Sequence, residues 1–267
     1  MSAKEVTDGR MRGYSRELPS RGPQGPIPRI QKRRTTMTNP ARPDGPAVDP
    51  RHLLVIGAGP GLGGAIAHRF AQGGYHLTLL ARRTDGLTKL ASDLADAGAA
   101  AGTVAADASD PEGLRATLTS LYASTGAPGV LVYNASMLTP DSLLSSDVAH
   151  LHQAYDVDVV GAIVATQVAA PAMRGAGGGT ILFTGGGWAD HPGPAWGTVS
   201  LGKTALRSAA TMLGADLAGD GIRVASITIA GQIQPGTPFS PDQIAEKYWS
   251  VVQSDGTWQS EFRFDGT

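Results

Sequence analysis

The sequence predicts an α/β fold in which a doubly wound, Rossmann-type parallel sheet of about seven strands carries helices on both faces. From His52 onward, short apolar segments of strand type alternate with longer segments of helical character. The apolar segments are continuous rather than alternating, which is typical of parallel strands buried on both faces. Short connections and right-handed crossovers then favour a single domain over residues 51–267.

The predicted elements follow one another in regular order. The first strand is apolar and ends in glycines, and the next helix begins inside that glycine cluster. The third helix has Pro111 and Glu112 in its first turn, where both residues favour a helix start. The fourth is long enough to cross back over the sheet, and an alternating apolar and polar tail predicts a last strand at the sheet edge. The predicted strands are Leu53–Ile56, Tyr75–Leu80, Gly102–Ala106, Gly129–Tyr133, Thr180–Thr184, Ile222–Ile229 and 258–264, and the predicted helices are Gly63–Gln72, Thr84–Ala97, Asp110–Thr125, Asp147–Met173, Val199–Leu217 and Pro241–Gln253.

Composition excludes several classes of function. With 41% hydrophobic and 17% charged residues, the chain has the composition of a soluble globular protein. The chain has no cysteine, which excludes disulfides, thiolate metal sites and a cysteine nucleophile. The six histidines are scattered, and His150 and His152 lie two apart, so they cannot share a helical face and no metal site is predicted. No Gly-x-Ser-x-Gly sequence occurs, which argues against a hydrolase.

Residues 1–50 differ from the rest of the chain. They carry ten Lys and Arg against five Asp and Glu, giving a charge of +5, while the remainder carries −6. The segment is also proline-rich and lacks hydrophobic periodicity, so we expect a disordered extension. It is either a basic tail for acidic partners or an over-long start, with the functional chain beginning near Met37. It lacks the apolar region of a secretion signal, so we expect a cytoplasmic protein. We expect no membrane partner, because no apolar run approaches the length of a membrane-spanning helix, and no nucleic-acid partner, because the rest of the chain is acidic.

A glycine cluster follows the first predicted strand, where residues 55–63 read Val-Ile-Gly-Ala-Gly-Pro-Gly-Leu-Gly. Gly57, Gly61 and Gly63 end the strand and open a helix, the context that a dinucleotide-binding turn requires. Without side chains, backbone N–H groups and the helix N-terminus can approach a pyrophosphate. The alternative is a merely tight turn. Asn134, 185–187 and Gly231 follow other predicted strands, and ligands of such sheets bind at those strand ends.

The second predicted strand leads into Arg82 and Arg83. A site that prefers NAD(H) usually has an acidic residue here, which accepts a hydrogen bond from the ribose 2′-hydroxyl. Arginine instead suits a 2′-phosphate, because its guanidinium group binds phosphate oxygens in a bidentate manner. The alternative is that both arginines only solvate the start of a helix. We therefore expect NADP(H) to be favoured over NAD(H).

Together these motifs resemble the short-chain dehydrogenase/reductase family over residues 50–235. The Gly57-x-x-x-Gly61-x-Gly63 spacing is the family's, and Asp107 matches its adenine-contacting acid. Tyr133-Asn134-Ala135-Ser136 is similar to the Asn-Ala-Gly motif, with serine in place of glycine. Gly231 matches the glycine of a Pro-Gly turn beside the nicotinamide. The resemblance implies these cofactor-binding residues: Gly57, Gly59, Gly61, Leu62, Gly63, Arg82, Arg83, Asp107, Ala108, Asn134, Ala135, Lys203 and Gly231.

The same resemblance implies a catalytic tetrad, of which this chain keeps one member. In the family a tyrosine protonates the substrate, a lysine four residues on holds the ribose, a serine polarises the carbonyl and an asparagine supports a water relay. Lys203 matches the lysine. Val199 stands at the tyrosine, Gly186 at the serine and Asp158 at the asparagine. Valine has no proton to give, so reduction of an ordinary ketone by the family mechanism is not expected.

Three kinds of chemistry remain compatible with this loss. Hydride could go to an iminium ion or an activated alkene, which need no tyrosine. Another residue could supply the proton, with His191, Asp158, Asp190 and Ser200 as candidates, although His191 is equally compatible with a turn residue. The third possibility is a protein that binds NADP(H) without redox turnover, as a sensor, a scaffold or a non-redox catalyst. Trp188 and Trp196 form either an aromatic pocket wall or a packing contact.

The remaining expectations come from the resemblance. Residues 232–254 correspond to the family's mobile lid, and their prolines and glycine suit a hinged loop. Relatives join subunits through long helices and a sheet edge, which implies a homodimer or homotetramer. The leading function is an atypical NADP(H)-dependent reductase acting on a small or medium organic substrate.

Overall fold

The computed structural model describes residues 48–267, which form a seven-stranded parallel sheet between two layers of helices. The predicted disordered extension over 1–50 lies outside these residues, except that the first strand already begins at Asp49. The strands are β1 (Asp49–Ile56), β2 (His76–Ala81), β3 (Ala101–Ala105), β4 (Pro128–Tyr133), β5 (Gly179–Gly186), β6 (Ile222–Ile229) and β7 (Glu261–Phe264), and the helices are α1 (Leu62–Gln72), α2 (Thr84–Asp96), α3 (Pro111–Thr125), α4 (Val148–Tyr155), α5 (Gly161–Gly175), α6 (Gly197–Leu217) and α7 (Pro241–Gln253).

The sheet has the order β3-β2-β1-β4-β5-β6-β7, and every adjacent pair is parallel. The chain builds outward from β1 to β3 and then returns to place β4 on the other side of β1. Ile56 at the end of β1 therefore pairs with Leu80 on one side and with Tyr133 on the other. The crevice beyond the carboxyl ends of β1 and β4 is the switch point, where sheets of this type bind ligands.

Both faces of the sheet are buried, which explains the continuous apolar strands. Leu53 and Val55 face a core formed with α1, α2 and α7, whereas Leu54 and Ile56 face a second core formed with α3, α5 and α6. All four side chains are fully buried. The predicted doubly wound parallel sheet is confirmed, including β7 at its edge.

The helix predicted over Asp147–Met173 is interrupted by a π-helical turn. The turn covers Asp156–Val160 and separates α4 from α5. Such single turns insert an extra residue and are frequent at functional sites. Within residues 48–267, the stretch Val148–Gly175 is long and apolar enough to cross a membrane, but 56% of its most apolar window is buried inside the fold. We therefore assign it to the protein core.

Strand β5 continues two residues beyond the predicted Thr184. Gly185 pairs with Thr228 and Gly186 with Ile229, so both glycines belong to the sheet. A Cβ atom on Gly185 would lie 3.0 Å from Thr228 Oγ1, which indicates a close approach of the two strands. The extension carries the backbone of β5 to the edge of the crevice.

Candidate functional site

The glycine turn between β1 and α1 combines close packing with open space. Gly57 has φ of +89°, and a Cβ atom there would lie 2.4 Å from the Ala135 backbone nitrogen. A Cβ atom on Gly63 would lie 2.5 Å from the Gly57 carbonyl oxygen. In contrast, added Cβ atoms on Gly59 and Gly61 would meet nothing within 4 Å. The outer glycines thus hold the turn against β4, and the middle ones leave backbone N–H groups free to contact a phosphate.

A cavity of about 450 Å³ opens beside this turn at the switch point. It brings together six of the predicted cofactor-binding residues, while Gly59, Gly61, Leu62, Gly63, Arg83, Lys203 and Gly231 lie outside its lining. Its walls also include residues 136–139 and two side chains from the α4 region, Gln153 and Val157. The predicted cofactor residues that line it are Gly57, Arg82, Asp107, Ala108, Asn134 and Ala135.

Two charged side chains are placed at the ends of β2 and β3. Asp107 Oδ1 accepts hydrogen bonds from the backbone nitrogen of Ser109 at 2.9 Å and from its hydroxyl at 2.8 Å, which fixes the carboxylate at the cavity wall. Arg82 is exposed and lines the cavity. Across residues 48–267 its guanidinium group makes no ion pair. Arg83 is the residue before α2 and has an exposed side chain. This position favours the alternative interpretation, in which the arginine only solvates the start of the helix.

Lys203 lies on α6 with its side chain buried beneath the end of β5. Only 5% of the residue is exposed, and Nζ donates a hydrogen bond to the Thr184 carbonyl oxygen at 2.8 Å. A Cβ atom on Gly186 would lie 3.6 to 3.8 Å from Lys203 Cγ, Cδ and Cε, so the aliphatic chain runs past this glycine. Burial lowers the pKa of Lys203, and the nearby Asp158 opposes that shift.

Asp158 lies in the π-helical turn and is 1% exposed. Oδ1 accepts a hydrogen bond from the Met137 backbone nitrogen at 2.8 Å, while Oδ2 has no partner among the described residues. The carboxyl group fits only because Gly202 lacks a side chain, since a Cβ atom there would lie 2.8 Å from Oδ2. Burial raises the pKa of Asp158, and the charge of Lys203 opposes the rise. Both groups are therefore pushed toward their uncharged forms.

The position of the missing tyrosine is apolar, and the serine that follows it is engaged elsewhere. Val199 is fully buried. Ser200, a candidate proton donor from the sequence, donates to the Trp196 carbonyl oxygen at 2.7 Å and accepts from the Gly193 nitrogen at 3.1 Å. It therefore stabilises the start of α6 rather than presenting a free hydroxyl.

The loop between β5 and α6 is held by an ion-pair network. Asp190 contacts Arg207 at 2.8 Å and Arg263 at 2.5 Å, and hydrogen bonds from these arginines lower its pKa. Asp190 is thus a poor proton donor, because its charged form is favoured. His191 has an exposed side chain, and its backbone nitrogen donates to the Gly187 carbonyl oxygen at 3.0 Å. Its proposed proton role stays a prediction.

The two tryptophans of this loop contact each other. The rings of Trp188 and Trp196 are stacked, with centroids 5.0 Å apart and planes at 27°. Both residues are partly exposed. The stacking agrees with the interpretation that the two tryptophans form a packing contact. The stacked pair also presents an aromatic surface beside β5, so a role as a pocket wall stays open.

The region of the predicted lid contains a loop and an anchored helix. Phe239 covers Gly231, where a Cβ atom would lie 2.5 Å from the Phe239 ring, and it packs edge-on against Phe264. The helix α7 is fixed to α1, because Arg69 pairs with Glu246 at 2.5 Å and lies 4.1 Å from the ring of Trp249. Any closing movement is therefore expected in 232–240 rather than in α7.

Sequence reasoning missed a buried acid next to the tetrad helix. The Asp141 side chain is 5% exposed and accepts hydrogen bonds from His150 Nε2 at 2.9 Å and from the Thr198 backbone nitrogen at 3.1 Å. The Thr198 hydroxyl also donates to it. These contacts tie the loop after β4 to the first turn of α6, directly before Val199. No sequence motif predicts these contacts, because Asp141 and Thr198 lie 57 positions apart.

Residues 48–267 contain no cluster of three or more His, Asp or Glu side chains that could hold a metal ion. Among the residues that the structure describes, the site thus consists of a glycine turn, a cavity lined by Arg82 without an ion-pair partner, and two buried residues, Lys203 and Asp158, that interact through their charges. This arrangement fits a dinucleotide, because the turn leaves room for phosphates and the cavity leads away from it along the strand ends.

Comparison with known proteins agrees with this geometry. The family described as short chain dehydrogenase matches residues 51–238. Sulfoacetaldehyde reductase 2 of Chromohalobacter salexigens is 29% identical over 206 residues, which is 76% of each chain. 1-Deoxy-11-beta-hydroxypentalenate dehydrogenase of Streptomyces avermitilis is 26% identical over 225 residues, covering 78% of this chain and 83% of its own.

Solved structures share the fold. L-Sorbose reductase from Gluconobacter frateurii, complexed with NADPH and L-sorbose, superposes with a TM-score of 0.75 at 24% identity, covering 83% of this chain and 97% of its own. A metagenomic short-chain oxidoreductase in complex with NADP has a TM-score of 0.71 at 25% identity, covering 81% and 98%.

Proposed function

Since the chain belongs to the short-chain dehydrogenase/reductase family and is an oxidoreductase of that family, we propose that it binds NADP(H) and reduces an acceptor that needs no tyrosine proton. An iminium ion or an activated alkene is the preferred acceptor, and a simple carbonyl compound is a poorer one. The observation that carries the proposal is the open glycine turn beside a cavity in which Arg82 is unpaired across the described residues.

The preference for NADP(H) rests on charge. Arg82 lies at the end of β2, where the family places the ribose 2′ position, and no acidic residue stands there. Two of the structural relatives are complexes with NADPH and with NADP. An unpaired guanidinium group favours a 2′-phosphate over a 2′-hydroxyl, because the charge-assisted hydrogen bonds are stronger.

Each remaining site residue is proposed to contact a different part of the cofactor or to hold the proton. Gly59 and Gly61 would leave backbone N–H groups for the pyrophosphate, and Asp107 would contact the adenine end. Lys203 would contact the nicotinamide ribose with its free N–H groups. When bound, NADPH supplies the hydride. Asp158 is the candidate to hold the proton for the acceptor, because it is buried beside the Met137 backbone nitrogen and its burial raises its pKa.

The first test is a titration of the protein with NADPH and NADH, followed by an absorbance assay of NADPH oxidation with ketones, cyclic imines and enones. We expect tighter binding of NADPH, and turnover with cyclic imines or enones at least about tenfold above that with ketones, since proton transfer by a positioned acid typically contributes 10²–10⁴-fold. Binding without any turnover would instead favour a sensor, a scaffold or a non-redox catalyst. Failure to bind either cofactor would overturn the proposal.

Restoring the missing side chains should add ketone reduction. Gly186→Ser places its Cβ at ordinary contact distance from Lys203, but Val199→Tyr enlarges a fully buried position and will cost about 1–3 kcal/mol of stability. We expect the double variant to reduce simple ketones about 100-fold faster than the wild type. A folded double variant that binds NADPH and still reduces no ketone would show that the site differs by more than these two side chains. Gly186→Ser alone is the control.

A homo-oligomer is proposed from the exposed apolar surface of α4 and α6. Val148 and Tyr155 lie seven residues apart on one face of the helical stretch, and Leu201 and Met212 lie eleven apart on one face of α6; all four are 49–66% exposed. Such a patch is typical of a protein–protein interface. We expect sedimentation to give at least a dimer, and Leu201→Arg to shift it to monomer, whereas Ala95→Arg on α2 leaves it unchanged. A monomeric wild type would contradict the proposal.

A further inference from the structure

A series of hydrogen bonds connects α7 to the glycine turn. The Thr184 hydroxyl lies 2.9 Å from Asn134 Oδ1 and 2.7 Å from the Tyr248 hydroxyl. Asn134 Nδ2 in turn donates to the Gly57 carbonyl oxygen at 2.9 Å. Tyr248 is fully buried and Thr184 is 7% exposed, so the bond between them is protected from water, whereas Asn134 is half-buried at the cavity wall. This series of hydrogen bonds therefore runs from the helix α7 through the sheet to the first glycine of the turn.

The Gly57 carbonyl oxygen determines which group donates and which accepts in every hydrogen bond of this series. A carbonyl oxygen only accepts, so the Gly57 oxygen requires the amide nitrogen of Asn134 and leaves its Oδ1 as an acceptor. The Thr184 hydroxyl must then donate to Oδ1, and the Tyr248 hydroxyl must donate to Thr184. Tyr248 consequently has to remain protonated, and burial raises its pKa.

Thr184 also contacts Lys203, the residue that matches the family's catalytic lysine. Its carbonyl oxygen accepts the hydrogen bond of Lys203 Nζ at 2.8 Å. One residue at the end of β5 thereby contacts the lysine through its backbone and the cofactor turn through its side chain. A displacement of Thr184 would move both contacts together.

We infer that Tyr248 and Thr184 are positioning residues that set Asn134, Gly57 and Lys203 in the geometry required for the dinucleotide. The inference rests on the proposed binding of NADP(H). Tyr248 lies outside the lining of the switch-point cavity and acts from α7, whose packing on α1 holds its hydroxyl in place. The outer glycines of the turn tolerate little movement, because an added Cβ on Gly57 would overlap Ala135. A small shift of Asn134 is therefore transmitted to the phosphate-binding backbone.

The test measures NADPH binding and thermal unfolding of the full chain for Tyr248→Phe, Thr184→Val and Thr184→Ser. Tyr122→Phe is the matched control, since the Tyr122 hydroxyl is also buried but has no hydrogen-bond partner among the described residues. Losing one buried hydrogen bond should raise the NADPH dissociation constant about fivefold in Tyr248→Phe, and losing two about 20-fold in Thr184→Val. Thr184→Ser keeps the hydroxyl and should stay within about twofold of the wild type.

The double variant Tyr248→Phe/Thr184→Val separates positioning from general destabilisation. If the residues act in one chain, the phenylalanine substitution adds little once Thr184 is valine, because the effects of coupled residues are not additive. NADPH dissociation constants of Tyr248→Phe and Thr184→Val that match Tyr122→Phe would overturn the inference and leave the proposed function standing. Should Tyr248→Phe fail to fold, Thr184→Val against Thr184→Ser decides the question. A wild type that binds neither NADPH nor NADH would overturn the proposed function and this inference with it.

Discussion

Replacing Lys203 with methionine should lower kcat/KM about 100-fold while the protein remains folded. Methionine has a similar length and suits the buried position, but it cannot donate a hydrogen bond to the ribose or to the Thr184 carbonyl oxygen. A hydrogen bond contributes about 0.5–1.5 kcal/mol, so losing the two bonds to the ribose and to Thr184 costs about 1–3 kcal/mol, which corresponds to roughly 5- to 150-fold in rate or affinity. The measurement is steady-state turnover with saturating NADPH and the best acceptor from the imine and enone assay.

The matched control for this variant is Lys89→Met on α2. Lys89 is exposed, pairs with Asp93 four residues along the same helix and does not line the cavity. Such pairs contribute only about 0.3–0.5 kcal/mol, so turnover should be unchanged. If Lys203→Met retained turnover within about threefold of the wild type, Lys203 would be a structural residue, and the proposed contact with the ribose would be wrong.

Reversing the charge of Arg82 should raise the dissociation constant for NADPH about 100-fold and leave that for NADH within about threefold. Arg82→Glu removes the charge-assisted hydrogen bonds to the 2′-phosphate and replaces them with repulsion. The carboxylate can accept from a ribose 2′-hydroxyl instead, which is the arrangement found in NAD-preferring sites. Parallel titrations with both cofactors measure the ratio directly, and the ratio is insensitive to a general loss of stability.

Arg83→Glu provides the comparison within the same turn. Arg83 precedes α2 and lies outside the cavity lining, so its substitution should weaken NADPH binding only about fivefold through the longer-range electrostatic field. Equal losses of NADPH and NADH affinity in Arg82→Glu would contradict a 2′-phosphate contact. A larger effect at Arg83 than at Arg82 would mean that the two arginines exchange roles when the cofactor binds.

The sequence located most elements because their signals are local. The continuous apolar runs of β1 and β4 predicted strands buried on two faces, and Pro111 with Glu112 marked the start of α3. The predicted bounds of β6 and α7 agree with the structure. The π-helical turn at Asp156–Val160 was not predicted, because an extra residue in one helical turn leaves the apolar pattern on either side nearly unchanged.

The candidate site was predictable only where a residue is recognised by its neighbours in the chain. The spacing of Gly57, Gly61 and Gly63 predicted the turn. Lys203 was identified because it lies four residues after Val199 in the sequence. Thr184 and Tyr248 gave no such signal, since 64 positions separate them and neither belongs to a motif. The engagement of Asp190 by two arginines was equally hidden, because Arg263 is 73 positions away.

The sequence by itself determined the fold class, the glycine turn, the arginine at the end of β2, and the valine and glycine at the positions where the resemblance implies a tyrosine and a serine. These features depend on residue type and on short spacings, which the linear chain preserves. Only the tertiary structure decided that Arg82 rather than Arg83 lines the cavity, that Lys203 and Asp158 are buried together, and that Thr184 joins both halves of the site. Burial and hydrogen-bond partners depend on which side chains meet across the sheet, and that is fixed when the strands and helices pack.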